Sequence, residues 1–385
     1  MRAVYAAFAL AGVLFASLVS RLPDIREALD LSNGDLGLLL LATSTGCVVA
    51  LPAAGPLIEW WGAAAVVRSG GLAVVGGILV AATGATVVHV ETLAAAGLFV
   101  QGLGVSVWDV AMNVEGAEVE RRVGRTVMPR FHAVWSIGSL AGSAIGVPMA
   151  ALGVPMLAHL AMVGLPAYVG VVVATRAFLP VDTHGPQAAS DAPRRSPWTE
   201  PRTLLIGVMV LAYALAEGSA NDWLSLGIID GYDVEHWVGV TAFATFVVAM
   251  TSGRMVGTRV LDRFGRAPVL WACAGAAAAG ILLTVFAGSL ALAFVGVAIW
   301  GLGSSLGFPV GMSAAADDPV GAAKRVGVVS TIGYGAFLIG PPLLGWVGDQ
   351  VGTLRALLVV AVLMVPAALT VTVTRSTARS EGSSP

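Results

Sequence analysis

Carboxylates inside long apolar runs are the residues of this chain best placed to do chemistry. Asp109 lies in the run 92–113, where Gln101, Val105, Asp109 and Asn113 recur every four residues and so share one helix face. Trp108 and Met112 flank that stripe. Such a face is the wall of a polar cavity with an aromatic ledge, suited to a ring or polyol-like solute. A second acid, Glu217, falls in the run 203–221, where Tyr213, Glu217 and Asn221 again step by four. Counted at about 1.5 Å per residue from the basic end of its run, Glu217 lies past the bilayer midplane. There it could bind solute, take a proton, hold an outer gate, or pair with Arg21 or Arg26. His132 opens the run 133–151, with Trp135 three residues on and on the same side. An ordinary imidazole changes charge near neutral pH. An ionisable group inside a span costs about 2.5–3.5 kcal/mol, so it is expected to face the interior and to work. Asp109, Glu217 and His132 are therefore read as proton-coupling candidates, with Asp109 foremost. The alternative for Asp109 is a structural pair with a loop arginine such as Arg130. Gln101, Trp108, Asn113, Trp135, Tyr213 and Asn221 are the substrate-cavity candidates.

The elements that must position these groups are membrane helices. Of 385 residues, 57 % are apolar and 11 % charged, against roughly 25 % charged in a soluble domain. Twelve apolar segments are long enough to span, near 3–20, 36–58, 65–84, 92–113, 133–151, 156–178, 203–221, 238–257, 268–287, 291–313, 327–347 and 354–374. Without water in the hydrocarbon each must close its own backbone hydrogen bonds as a helix. The run after Met1-Arg2 also resembles a secretory signal, but it is read as a retained first helix because the same kind of segment keeps repeating. With the N-terminus inside, 18 of the 21 basic residues fall on the inner side, and only Arg21, Arg26 and Arg355 on the outer. That bias predicts both termini in the cytoplasm of a multi-pass protein of the cytoplasmic membrane. The polar stretch 180–202 reads as a cytoplasmic linker between bundles at 1–179 and 203–385. Cys47 and Cys273 lie far apart in apolar stretches and are read as packing residues, with no metal site. The net charge of −2 and the single lysine, Lys324, speak against a nucleic-acid partner.

The two halves repeat. Gln101-Gly-Leu-Gly-Val-Ser106 aligns with Trp300-Gly-Leu-Gly-Ser-Ser305 at an offset of 199. The loop Gly55-Pro-Leu-Ile-Glu59-Trp-Trp-Gly62 faces Thr258-Arg-Val-Leu-Asp262-Arg263-Phe-Gly265-Arg266 at an offset of 203. Paired six-helix repeats around a midplane site are the plan of many secondary transporters. The Asp262-Arg263-Phe-Gly265-Arg266 loop resembles the signature between the second and third helices of the major facilitator superfamily, repeated between the eighth and ninth. In the first copy Glu59 stands for Asp, and Trp60 and Ala63-Ala64 stand for basic residues. The resemblance covers the whole chain. It implies an all-α fold of twelve transmembrane helices in two pseudo-symmetric six-helix bundles. It also implies an inner gate held by Glu59, Asp262, Arg263 and Arg266, a carboxylate at a helix start with arginines nearby being a charge-assisted clasp. Arg254, near the inner end of the eighth span, is read as joining the Asp262 clasp, with anion binding as the alternative. Ser20-Arg-Leu-Pro-Asp-Ile-Arg26, Trp108-Asp-Val-Ala-Met-Asn113, Ala216-Glu-Gly with Asp222-Trp223, and Gly307-Phe-Pro-Val-Gly-Met-Ser313 resemble the MosC/YbjJ-like branch. Asp109-x-x-x-Asn113 is similar to the Glu-x-x-x-Asn of fucose–proton symporters, in which the acid couples to protons. Those sugar carriers have Asn where Trp135 falls, which weakens any transfer of sugar specificity.

No Gly-x-x-x-x-Gly-Lys-Ser/Thr run is present, so no ATP site of that kind is expected and transport would run on a gradient. Gly303-Ser-Ser-Leu-Gly307 fits the hydrolase elbow pattern but lacks its strand–turn–helix setting. No enzyme activity and no cofactor are expected. The reading is a monomeric secondary active transporter, working by alternating access on a small polar solute with proton coupling. The rival readings are a drug or metabolite exporter, to which Gly146-Val-Pro148 and Gly340-Pro-Pro342 point weakly, and a membrane receptor that binds solute without moving it.

Overall fold

The computed structural model describes residues 1–31, 33–179, 196–234 and 236–374. Its elements are almost all helical: α1 (Arg2–Val19), α2 (Leu22–Ala28), α3 (Asn33–Thr86), α4 (Glu91–Val123), α5 (Met128–Ala151), α6 (Met156–Thr175), α7 (Pro201–Ser219), α8 (Ser225–Tyr232), α9 (His236–Phe264), α10 (Arg266–Phe286), α11 (Leu290–Ser304), α12 (Gly307–Ala315), α13 (Ala322–Val351), α14 (Thr353–Ala356) and α15 (Leu358–Thr370). Ten described helical stretches are long and apolar enough to cross a bilayer. The 49-residue stretch Leu38–Thr86 holds two of the twelve expected spans, and α9 supplies the remaining one. Its C-terminal half carries Arg254, Arg259, Asp262 and Arg263. The outcome is an all-α membrane protein of twelve crossing segments. Most of the expected linker, 180–195, lies outside the described residues, as do Arg375 and Arg379; its end forms a short turn, Pro197–Thr199, leading into α7.

The sequence repeat has a backbone counterpart. Gly62, the break inside α3, adopts φ 78° and ψ 156°. Gly265, between α9 and α10, adopts φ 79° and ψ 169°. The two lie 203 residues apart, the offset of the aligned loops. No side chain crowds Gly265, so its backbone angle rather than space calls for glycine. The Gly-Leu-Gly segments match too. A Cβ on Gly102 would lie 2.1 Å from the Thr43 carbonyl of α3, and one on Gly104 2.5 Å from the Gly70 carbonyl further along the same helix. In the second half Gly301 backs onto Phe246 of α9 and Gly303 onto Ala277 of α10, at 2.5 and 2.3 Å. Each pair lets one helix meet two neighbours backbone to backbone, which suits association in lipid.

By contacts the chain divides into two compact units. One holds Met1–Val119, the described part of Val134–Ala192, and Pro319–Gly327; the other holds Glu120–Ala133, the described part of Pro193–Asp318, and the described part of Val328–Pro385. Each therefore borrows a short segment: the tail of α4 with the start of α5 belongs to the second unit, and the first turn of α13 to the first.

Candidate functional site

In the first unit the polar stripe of α4 forms as a continuous helix. Asn113 is fully buried, and its side-chain amide donates to the Asp109 carbonyl at 2.9 Å and to Asp109 Oδ1 at 3.2 Å. Gln101 is buried, and its Oε1 has no hydrogen-bond partner among the described residues. Trp108 does not form a ledge: it is 2 % exposed and packs against Gly70 and Gly71 of α3. Trp135 leans on Phe15 of α1, ring centroids 5.4 Å apart.

The same unit places Glu59 beside Lys324, Oε2 to Nζ 2.7 Å. Gly55 makes this possible, because a Cβ there would come within 2.9 Å of the Lys324 backbone. The partners are 265 positions apart, and no local sequence pattern links Glu59 to Lys324.

In the second unit the acid of α7 has a cation of its own. Arg254 Nη2 of α9 donates to Glu217 Oε2 at 2.7 Å, and its Nε reaches the Ser305 carbonyl at 3.3 Å. Arg254 is 2 % exposed, so the pair lies inside the helices. The structure thus gives Glu217 a partner in its own unit, Arg254, and corrects one expectation: Arg254 is not part of the Asp262 clasp. His132 is buried, stands edge-on to Phe308 at 5.5 Å, and lies within electrostatic reach of Arg254. The expected stripe of Tyr213, Glu217 and Asn221 does not survive as one face. Tyr213 is fully buried and its hydroxyl donates to the Leu270 carbonyl at 2.7 Å. Ala220–Leu224 is a π turn, which adds a residue to the helical count and leaves Asn221 exposed. Such bulges often mark functional positions.

At the other end of this unit lies a charged network. Arg266 Nη1 grips both Asp317 oxygens, at 2.7 and 2.9 Å, while its Nη2 donates to Ser313 Oγ at 2.7 Å. Arg202 adds a second guanidinium to Asp317 at 2.7 Å. Glu120 accepts the Ser313 hydroxyl on one oxygen and the Val127 and Met128 amides, each at 2.7 Å, on the other. Asp262 accepts from the Thr126 amide at 3.0 Å. Two carboxylates thus cap the start of α5, where unfilled amides and the helix dipole favour negative charge. Asp262 therefore holds the start of α5 through an amide rather than an arginine clasp; among the described residues no arginine bonds to it. Arg263 stacks on Phe264, 5.2 Å from the ring centroid. Asp317, Glu120 and Arg202 were not singled out from sequence. One signal was there: the 199-residue offset maps Asp317 onto Glu118, another carboxylate downstream of a Gly-Leu-Gly segment.

Comparison with known proteins decides the family. The Major Facilitator Superfamily model matches residues 4–319 and 234–385. The chain belongs to the major facilitator superfamily. It is 30 % identical over 351 residues to the uncharacterised transporter y4wD of Sinorhizobium fredii, covering 90 % of this chain and 91 % of that one. It is 26 % identical to the membrane protein MosC of Rhizobium meliloti, covering 91 % and 84 %. Among solved structures, FucP in the outward conformation superposes with a TM-score of 0.82 at 17 % identity, over 98 % of both chains. These matches support the twelve-helix, two-bundle architecture and the resemblance to MosC. This superfamily member is thus a multi-pass membrane transporter and not an enzyme.

Proposed function

We propose that the chain is a proton-coupled secondary transporter that moves a small polar solute across the cytoplasmic membrane by alternating access. Both termini and the 180–202 linker, between bundles at 1–179 and 203–385, then lie in the cytoplasm, as the basic bias favours. One observation carries the reading: a carboxylate, Asp109, sits within a span with a buried amide, Asn113, bonded to it at 3.2 Å. An acid and an amide on one turn can share a solute hydroxyl while the acid takes or gives a proton. The fucose:proton symporter FucP of E. coli has a similar fold. In this reading Gln101 and Asn113 contact solute, Asp109 exchanges the proton, and Glu217 with Arg254 forms a second charged group within the helices, with His132 near it. Glu59 with Lys324 and the networks around Asp262 and Arg266 serve the inner gate.

A thermal-shift screen of purified protein against sugars, polyols, amines and antibiotics identifies the ligand class. Proteoliposomes loaded with a pH-sensitive dye then test the rest. The expected result is stabilisation by a polar solute, followed by solute-driven proton movement. Stabilisation without any flux means a receptor; stabilisation only by apolar cations means an exporter.

A further inference from the structure

A groove of about 600 Å³ runs along the second unit between α9 and α10, floored by α11. Its origin is the packing just described. α11 packs closely against both α9 and α10, whereas α9 and α10 scarcely touch each other. The space left between them is lined by small and apolar groups, among them Gly257, Val260, Ala272 and Ala276. It is open along one side: Val256, Phe264 and Leu302 are 55 %, 58 % and 47 % exposed. In a membrane helix such a face meets lipid. The volume falls within the range of about 300–1,000 Å³ that holds a small ligand.

The mouth of the groove is basic. Arg259 and Arg263 follow Val256 and Val260 by three residues, so they occupy the adjoining stripe of α9. Both are exposed. Arg263 lies over Phe264, itself a groove residue. Among the described residues neither guanidinium has a carboxylate partner, whereas Arg266, one turn away, is committed to Asp317. An apolar slot at membrane depth that ends under two uncommitted arginines matches one kind of molecule: an apolar tail carrying an anionic head.

We propose that this groove seats an acyl chain of an anionic phospholipid, with Arg259 and Arg263 holding its phosphate. Basic residues beside membrane helices are recognised lipid-headgroup sites, each worth about fivefold in affinity. On this assignment Arg263 is a lipid ligand rather than part of the gate.

The full chain, reconstituted in vesicles of equal phosphatidylglycerol and phosphatidylcholine and then extracted in mild detergent, is examined by native mass spectrometry. Phosphatidylglycerol is expected to stay bound in preference to phosphatidylcholine. Arg259→Gln with Arg263→Gln should lower its retention by roughly twenty-five-fold, and Arg259→Gln alone by about fivefold if the double variant fails to fold. Ala272→Trp fills the slot from an exposed position and should expel the lipid while leaving the melting temperature within a few degrees. Equal retention of both lipids by the native protein, or undiminished phosphatidylglycerol in either the arginine or the tryptophan variant, overturns the proposal.

Discussion

Asp109 of α4 and Glu217 of α7 are both carboxylates inside membrane spans, but their surroundings differ in kind. Asp109 takes a neutral amide, from Asn113 on its own helix, one turn away. Glu217 takes a guanidinium, Arg254, from a different helix. Protonating Asp109 leaves the amide bond to its backbone carbonyl in place. Protonating Glu217 dissolves an ion pair whose cation is buried. A carboxylate that must gain and lose a proton in every cycle is better served by the first arrangement, and one that ties helices together by the second. On the proposed reading, coupling falls to Asp109 and cohesion to Glu217.

Substitutions that separate the two roles sharpen it. The largest effect is expected at Glu217→Ala, which removes the carboxylate paired with the buried Arg254; loss of one partner of a buried pair costs about 3–5 kcal/mol. Differential scanning fluorimetry should show a large fall in melting temperature, and Glu217→Leu combined with Arg254→Met should recover most of it. If Glu217→Ala melts like the native protein, the pair does not hold the unit together. Asp317→Ala comes next. It releases two guanidiniums, Arg266 and Arg202, that water partly reaches, so the expected loss is about 1–3 kcal/mol in the same assay. Asp262→Asn keeps an acceptor for the Thr126 amide and removes only a charge at a helix start, about 0.3–1 kcal/mol. Its effect should appear instead as faster labelling of engineered cysteines from the cytoplasmic side; unchanged labelling at normal expression speaks against a gate role. Lys324→Ala breaks a pair in which the lysine is 47 % exposed, so its effect on melting should stay below about 1 kcal/mol.

Much of the architecture was legible because its causes are local. Apolar runs of span length and glycines repeating at offsets of 199 and 203 are readable along one dimension. The glycines at 62 and 265 then proved to share a backbone conformation as well as a motif. The acids were legible for the same reason: Asp109 and Glu217 are conspicuous in apolar text. Their partners were not. Arg254 is 37 residues from Glu217, Lys324 lies in the other half of the sequence from Glu59, and Asp317 is 51 residues from Arg266. Nothing in a helical period reaches such distances. Counting by four also failed where the helix itself departs from 3.6 residues per turn. The π turn at Ala220–Leu224 takes Asn221 out of register with Tyr213 and Glu217. Trp108 shows a different limit, since an aromatic beside a polar stripe can face either a cavity or the neighbouring helix, and here glycines at 70 and 71 draw it into the packing.

The assignment of coupling to Asp109 is tested most directly with Asp109→Asn in proteoliposomes, using the solute found by thermal shift. Asparagine keeps the shape and an acceptor for Asn113 but carries no exchangeable carboxyl proton. The account predicts a melting temperature close to native, intact exchange of labelled for unlabelled solute, and no accumulation when a proton gradient is imposed. Native-level accumulation by Asp109→Asn would contradict it and shift the coupling role to Glu217.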